Sequence, residues 1–171
     1  MFNKDVVLFE YLLLPGYIFL NAEPSLISTV LGSNVAVSLW DQNKKRGGMA
    51  NYLYPDCGVG DAATSRYGNV AIRHLARMLV QEGTKRKDIK AQIFGGAETE
   101  ERECIRIARR NVSIAKKIML ELRIEIISED TGGSMGRKIV YNTEKNEAIV
   151  YKVNGLRGSD WYPYVNDRGE N

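Results

Sequence analysis

The order of elements along this chain predicts an α+β fold built on mixed β-sheets. Three observations carry that expectation. Short β-rich segments fill the first third, two amphipathic helical patterns follow with one strand-like run between them, and three more β-rich segments come after. Strands and helices therefore do not alternate in the regular way that a parallel, doubly wound sheet requires. With 171 residues, 44% of them hydrophobic, the chain is of a size that buries roughly 70% of its unfolded surface. No internal repeat or low-complexity tract divides it. The expectation is one domain over residues 1–156 and a polar, aromatic tail over 157–171.

The apolar stretch Val6 to Leu20 contains Glu10, is broken by Pro15-Gly16, and lacks the basic start and small-residue cleavage site of a signal peptide. It reads as two short buried strands flanking a turn, not as a membrane anchor. Tyr17 to Ala22 and Leu26 to Leu31 are apolar runs separated by Glu23-Pro24, and Val35 to Trp40 alternates with Val35, Val37 and Leu39 on one side. Asp41 to Gly48 is a polar loop, after which Met49 to Tyr54 returns antiparallel. Centring that hairpin near Gln42 and Asn43 sets Val37 opposite Gly48 and Asn34 opposite Asn51. Directly opposed side chains on one face have Cβ atoms about 4.5–5.5 Å apart.

Arg66 to Glu82 carries Ala71, Leu75, Met78 and Leu79 at helical spacing, with Thr64-Ser65 as expected caps and Gly83 as the stop. Lys90 to Phe94 reads as a strand ending in Gly95-Gly96. Ile107 to Leu122 repeats the helical pattern through Ala108, Val112, Ala115 and Met119. Ile124 to Ser128, Lys138 to Asn142 and Ala148 to Val153 are strands, the first two joined by the glycine-rich loop Asp130 to Arg137.

Lys and Arg number 24 against 21 Asp and Glu, a net charge of +3 that implies no nucleic-acid partner. The single histidine, His74, excludes any two-histidine metal motif. On its helix it has no carboxylate or hydroxyl nucleophile at i±3 or i±4, so it reads as a surface or boundary residue. Cys57 and Cys104 form no CxxC pair, which leaves no zinc ribbon and no thioredoxin-type centre. No metal and no cofactor is expected, the thiols should be free, and a reducing cytoplasm is the natural setting. The basic runs Lys85-Arg86-Lys87, Arg109-Arg110 and Lys116-Lys117 read as solvated faces beside acids at Glu98 to Glu103 and Glu121. Neither Gly95-Gly96 nor Gly132-Gly133 with Gly136 has P-loop or dinucleotide-binding spacing. Such glycines serve either as tight turns or as a place where backbone N–H groups approach a substrate carbonyl.

The string LISTVLGSNVAVSLWD, beginning at Leu26, resembles the signature of the CheD family of chemoreceptor glutamine deamidases, which typically reads ISTVLGSCVAV. The resemblance continues through YLLLPGYIFL, RGGMANYLYPD (Arg46 to Asp56), SRYGNVAI (Ser65 to Ile72), IFGGAE (Ile93 to Glu98), IARRN (Ile107 to Asn111) and EDTGGSMGRKI (Glu129 to Ile139). It implies a layered α/β/β/α arrangement with mixed sheets, akin to the cytotoxic necrotizing factor deamidases. It also implies a cysteine-hydrolase mechanism: a thiolate attacks a receptor glutamine, a histidine manages the protons, and a threonine orients the histidine.

By that resemblance the family's cysteine falls on Asn34, its histidine on Asn51 and its threonine on Ser28. An asparagine carboxamide is neither a useful nucleophile nor titratable near neutral pH. The expected function is therefore that of an inactive homologue, cytoplasmic and without membrane insertion, that binds chemoreceptors or a CheC-type phosphatase. The alternative is an active deamidase using a displaced nucleophile, for which Cys57 is the candidate.

Overall fold

The computed structural model describes residues 8–156; the expected tail over 157–171 lies outside the described residues. Two strands open the fold, β1 (Phe9–Leu12) and β2 (Tyr17–Leu20), linked through Pro15-Gly16. They do not pair with each other. β1 runs parallel to β3 (Ser25–Leu31), whereas β2 runs antiparallel to β5 (Arg46–Tyr52) in a different sheet. The expected burial of both strands is not found: Phe9 is 51% and Tyr17 58% exposed. The reason is position, because each strand lies at the edge of its sheet. Phe19 stacks on Phe9 and Tyr11, with ring centroids 6.1 and 4.0 Å away, and so joins the two edges.

Among the described residues, β3 continues into a four-stranded sheet of order β1-β3-β8-β9, where β8 is Gly136–Asn142 and β9 is Glu147–Val153. The other sheet has the order β2-β5-β4-β6-β7, with β4 at Val35–Asp41, β6 at Ile89–Gly95 and β7 at Glu125–Thr131. Each sheet holds one parallel pair, β1 with β3 and β6 with β7, so both are mixed as expected.

Alternation along β4 decides the layering. Val35, Val37 and Leu39 point one way, onto Ala71, Ile72, Leu75 and Leu79 of α1 (Gly68–Gln81) and onto Ala115, Ile118 and Met119 of α2 (Arg102–Leu122). Ala36, with Met49 and Phe94, points the other way, onto Ile27, Leu31, Ile139 and Tyr141 of the four-stranded sheet and onto Leu13 just beyond β1. The layers are thus helices, five-stranded sheet, four-stranded sheet. The α+β class and the mixed sheets hold, but among the described residues no helix forms the expected fourth layer. β4 and β6 are buried along nearly their whole length on both faces, which takes both helices on one side and the second sheet on the other. β9 buries one face only, leaving Ile149 and Tyr151 exposed, and asks for no such cover.

The β4–β5 hairpin departs from the expected register by two residues: Val37 faces Ala50, Leu39 faces Gly48 and Asn51 faces Ala36. The Asp41 carboxylate sets the turn. Its Oδ1 accepts the N–H groups of Asn43 at 2.9 Å and Lys44 at 3.0 Å, so Asp41 becomes the last paired residue, opposite Arg46. A shift of two keeps every side chain on its expected face, where a shift of one would have inverted them all.

The helix ends differ too. α1 has no side-chain cap; the hydroxyl of Ser65, expected there, donates instead to the Gly16 carbonyl. Gly83 does stop it, at φ +86°. α2 begins five residues before Ile107, because its first turn is polar and carries no apolar period.

Away from Asn34, toward the other end of β4, the β8–β9 turn is tied across to the five-stranded sheet. Trp40 Nε1 donates to the Thr143 carbonyl at 2.8 Å, and Gln92 Nε2 donates to Asn146 Oδ1 at 2.8 Å. Among the described residues no helix is long and apolar enough to cross a membrane.

Candidate functional site

Asn34 immediately precedes β4, and Asn51 lies in β5 opposite Ala36. The two are therefore diagonal neighbours on the face turned toward the four-stranded sheet, a relation that places α-carbons about 7–8 Å apart, within reach of polar side chains. Asn34 Nδ2 donates to Asn51 Oδ1 at 2.8 Å. Asn51 Nδ2 donates in turn to Thr29 Oγ1 at 2.9 Å, and the Thr29 hydroxyl donates to the Leu13 carbonyl at 2.7 Å. At the outer end, Asn34 Oδ1 accepts the Gly32 N–H at 2.8 Å. All three side chains are buried, Asn51 completely.

The result is a one-way run of donors from Asn34 inward. It contains no thiol, no imidazole and no carboxylate, so it neither holds nor releases a proton near neutral pH. The direct pairing expected for Asn34 and Asn51 is replaced by a diagonal one, but the shared face and the side-chain contact are as expected.

Ser28 stands elsewhere. Ile27, Thr29 and Leu31 share the inward face of β3, so Ser28 belongs to the opposite face, with its partner Val140. The hydroxyl beside Asn51 is that of Thr29, which the sequence reading passed over. The signal was there: apolar residues two positions either side mark Thr29 as inward-facing.

The glycine loops hold one another. Gly95, at φ +107°, leaves no room for a side chain, since a Cβ there would sit 2.3 Å from the Asn34 carbonyl oxygen. That close approach lets Gly96 N–H donate to Asn34 O at 2.9 Å and Ala97 N–H to Gly32 O at 2.8 Å. Gly132 N–H donates to Gly95 O, and Glu98 N–H to Gly133 O. These four N–H groups serve the backbone and are not turned toward a ligand. They brace the segment that carries Asn34.

Asn111 of α2, fully buried, braces it from behind. Its Nδ2 donates to the carbonyls of Ser33 at 3.0 Å and Leu53 at 2.9 Å, while the Tyr52 hydroxyl donates to the Asn111 carbonyl at 2.5 Å. Burial raises the Tyr52 pKa well above the ordinary phenol range and keeps that donor protonated. Nothing in the local pattern of IARRN marks Asn111 for this role, because both acceptors lie more than 50 residues away in the chain.

The other singled-out residues lie apart from this run. His74 is exposed on α1 and lines a cavity of about 490 Å³ with Tyr17, Ser65 and Met78. Cys57 follows β5, and its thiol donates to the carbonyls of Gly58 and Asp61 at 3.6 and 3.5 Å. Cys104 lies in the first turn of α2, and both thiols are free. Most of the basic pairs are neutralised at the surface: Arg109 by Glu98, Arg110 by Asp56, Lys116 by Glu129 and Lys117 by Glu121. Among the described residues no cluster of three His, Cys, Asp or Glu side chains is arranged to hold a metal ion.

Comparison with known proteins adds the following. Residues 55–152 match the family described as CheD chemotactic sensory transduction. The chain is 39% identical over 137 residues to the "Probable chemoreceptor glutamine deamidase CheD" of Trichlorobacter lovleyi, which covers 78% of this chain and 84% of that one. It is 37% identical over 133 residues to the chemoreceptor glutamine deamidase CheD of Thermotoga maritima, covering 77% and 85%. With the chemoreceptor glutamine deamidase CheD of Halalkalibacterium halodurans the identity is 38% over 138 residues, covering 76% and 85%.

Proposed function

This chain belongs to the CheD family of chemotaxis proteins, and from that premise we propose that it is a member without deamidase chemistry, acting in the cytoplasm as a docking module for chemoreceptors or a CheC-type phosphatase. One observation carries the reading: the run Asn34–Asn51–Thr29 is fully hydrogen-bonded and has no nucleophile and no base. In family terms, Asn34 and Asn51 stand where a cysteine and a histidine act. A thiolate would open the step by forming a bond to the glutamine carbonyl carbon, and an imidazole would carry the proton to the departing ammonia. A carboxamide at either position does neither. In serine proteases stripped of their triad, a residual rate of roughly 10³–10⁴-fold over water survives through the oxyanion hole and binding. Here the loop N–H groups of Gly96, Ala97, Glu98 and Gly132 are held by backbone carbonyls, which supports a lower residue of activity still.

The displaced-nucleophile reading finds no support in the geometry around Cys57. Its thiol faces two backbone carbonyls, and His74 lines a separate cavity on α1. The test is to incubate the protein with the cytoplasmic domain of a chemoreceptor from the same genome and to map every glutamine by mass spectrometry, alongside a binding measurement. The reading requires binding without conversion. Glutamate appearing at receptor glutamines, and lost in Cys57→Ala, would overturn it.

A further inference from the structure

The outer face of the helical layer carries a trough along the seam between α1 and α2. Three cavities of about 470, 240 and 330 Å³ adjoin there. The first shares Arg73 with the second and Glu121 with the third, and the second and third share Arg86 and Leu122, so they form one continuous depression. It runs from Asn69 and Arg110 to Val80 and Leu122, the length of α1. Ile114, Ile118, Ala76, Val80 and Leu122 supply its apolar floor.

Its two halves differ in charge. In the first half the cations are matched: Arg110 pairs with Asp56, and Arg73 and Lys117 with Glu121. In the second, Arg77, Arg86, Lys87 and Arg123 line the walls, and none of them has an ion pair among the described residues. Glu121, already held by Arg73, is the one carboxylate lining that half. These four cations converge from three separate elements: α1, the short 3₁₀ turn Arg86–Asp88, and the residue that ends α2.

We propose that this trough docks an acidic amphipathic helix of a partner protein. The partner's apolar stripe lies along the floor, and its carboxylates meet the four unpaired cations. A seam between two helices accepts a third helix, whereas extended peptides add to sheet edges. The fourteen residues of α1 span about 21 Å at 1.5 Å per residue, so the partner contributes roughly four turns. Asp56 and Glu121 in the first half disfavour a continuous phosphate backbone, which sets the site apart from a nucleic-acid groove. Neither Asn34 nor Asn51 lines the trough. The inference therefore stands independently of the proposed loss of chemistry.

The probe is a fluorescent helical peptide of leucines at i, i+3, i+4 and i+7 with glutamate elsewhere, set against its Glu→Gln analogue and a single-stranded DNA. Binding is measured by anisotropy to the full chain and to two charge-matched double variants, Arg77→Glu with Arg86→Glu in the trough and Arg102→Glu with Lys145→Glu outside it. We expect the glutamate peptide to bind with an affinity that falls as salt rises, at least tenfold weaker binding by the trough variant, and a change within twofold for the control. The glutamine analogue should bind several-fold more weakly. Equal losses in both variants, equal affinity for the two peptides, tighter binding of DNA, or no binding of the glutamate peptide at 1 mM (~4 kcal/mol) would each overturn the proposal. Circular dichroism checks that the variants fold. Arg77→Gln with Arg86→Gln gives the same comparison at a smaller change of charge.

Discussion

Asn51→Ala removes the centre of the buried donor run. Asn51 has no exposed surface and makes two short side-chain bonds, accepting from Asn34 at 2.8 Å and donating to Thr29 at 2.9 Å. Each bond contributes about 0.5–1.5 kcal/mol net, and the Asn34 amide, left with only a 3.4 Å contact to the Val30 carbonyl, adds about 1–3 kcal/mol as an unsatisfied buried donor. A loss of about 2–6 kcal/mol follows, or roughly 5–25 °C in Tm for a chain of this size. Asn34→Ala should cost about 2–3 kcal/mol, because it orphans Asn51 Oδ1 and the Gly32 N–H. The double variant loses their shared bond only once, so it should fall short of the sum by about 1–2 kcal/mol. Urea denaturation of the four proteins at pH 5, 7 and 9 measures this coupling. It should be the same at all three, since nothing in the run titrates between them. Additivity within about 0.5 kcal/mol, or a coupling that changes with pH, would refute the reasoning.

Three further outcomes are expected. Asn34→Cys with Asn51→His should confer glutamine deamidation detectable by peptide mass spectrometry, while either change alone gives little, because nucleophile and base act as a unit; a folded, receptor-binding double variant without conversion would show that the surrounding pocket has drifted. Asn111→Ala should destabilise by about 2–4 kcal/mol in urea, since it leaves the carbonyls of Ser33 and Leu53 without their donor, and Asn111→Asp should do more harm by setting a carboxylate against them. For Asp41, burial raises the pKa, but the Thr84 hydroxyl, the N–H groups of Lys44 and Asn43 and the Lys44 charge outweigh it and hold the carboxyl below its usual range. Its contribution is therefore full above the unfolded value of about 3.9 and is lost as pH falls through the lower folded value; Asp41→Asn should be less stable near neutrality and show a shallower acid limb in a pH series of melts.

Alternation made much of this fold legible. VAVSLW told which side chains of β4 face the helices, and IST placed Ile27 and Thr29 together on the inner face of β3. What was hidden depends on contacts between distant parts of the chain. The hairpin register turned on a carboxylate gathering two backbone N–H groups, which no hydrophobic pattern encodes. The missing fourth layer followed from where both helices had to go, a matter of which sheet lacked cover. The site residues Asn34 and Asn51 were named through a family resemblance together with strand parity, and parity survived a register displaced by two. Thr29 is inward by the same parity, but its bond to Asn51 joins strands of different sheets, which a local pattern does not encode. The unpaired cations of the trough come from three elements, so single basic runs gave no sign of them.

The interlayer between the two sheets is apolar in its middle, where Ile27, Leu31, Ala36, Met49, Phe94 and Ile139 meet. Such a surface is slippery, because aliphatic contacts lose little when one sheet turns or slides a short way over the other. Polar bonds pin it at both ends: Asn51 to Thr29 at one, and Trp40 and Gln92 to the β8–β9 turn at the other. One pin would leave a pivot. Two fix the angle as well as the offset, in the way two dowels locate a plate. The residue at position 51 holds its end only if its side chain both donates and accepts. Asparagine does both, whereas alanine or leucine there would remove the side-chain bond to Thr29 that pins this end.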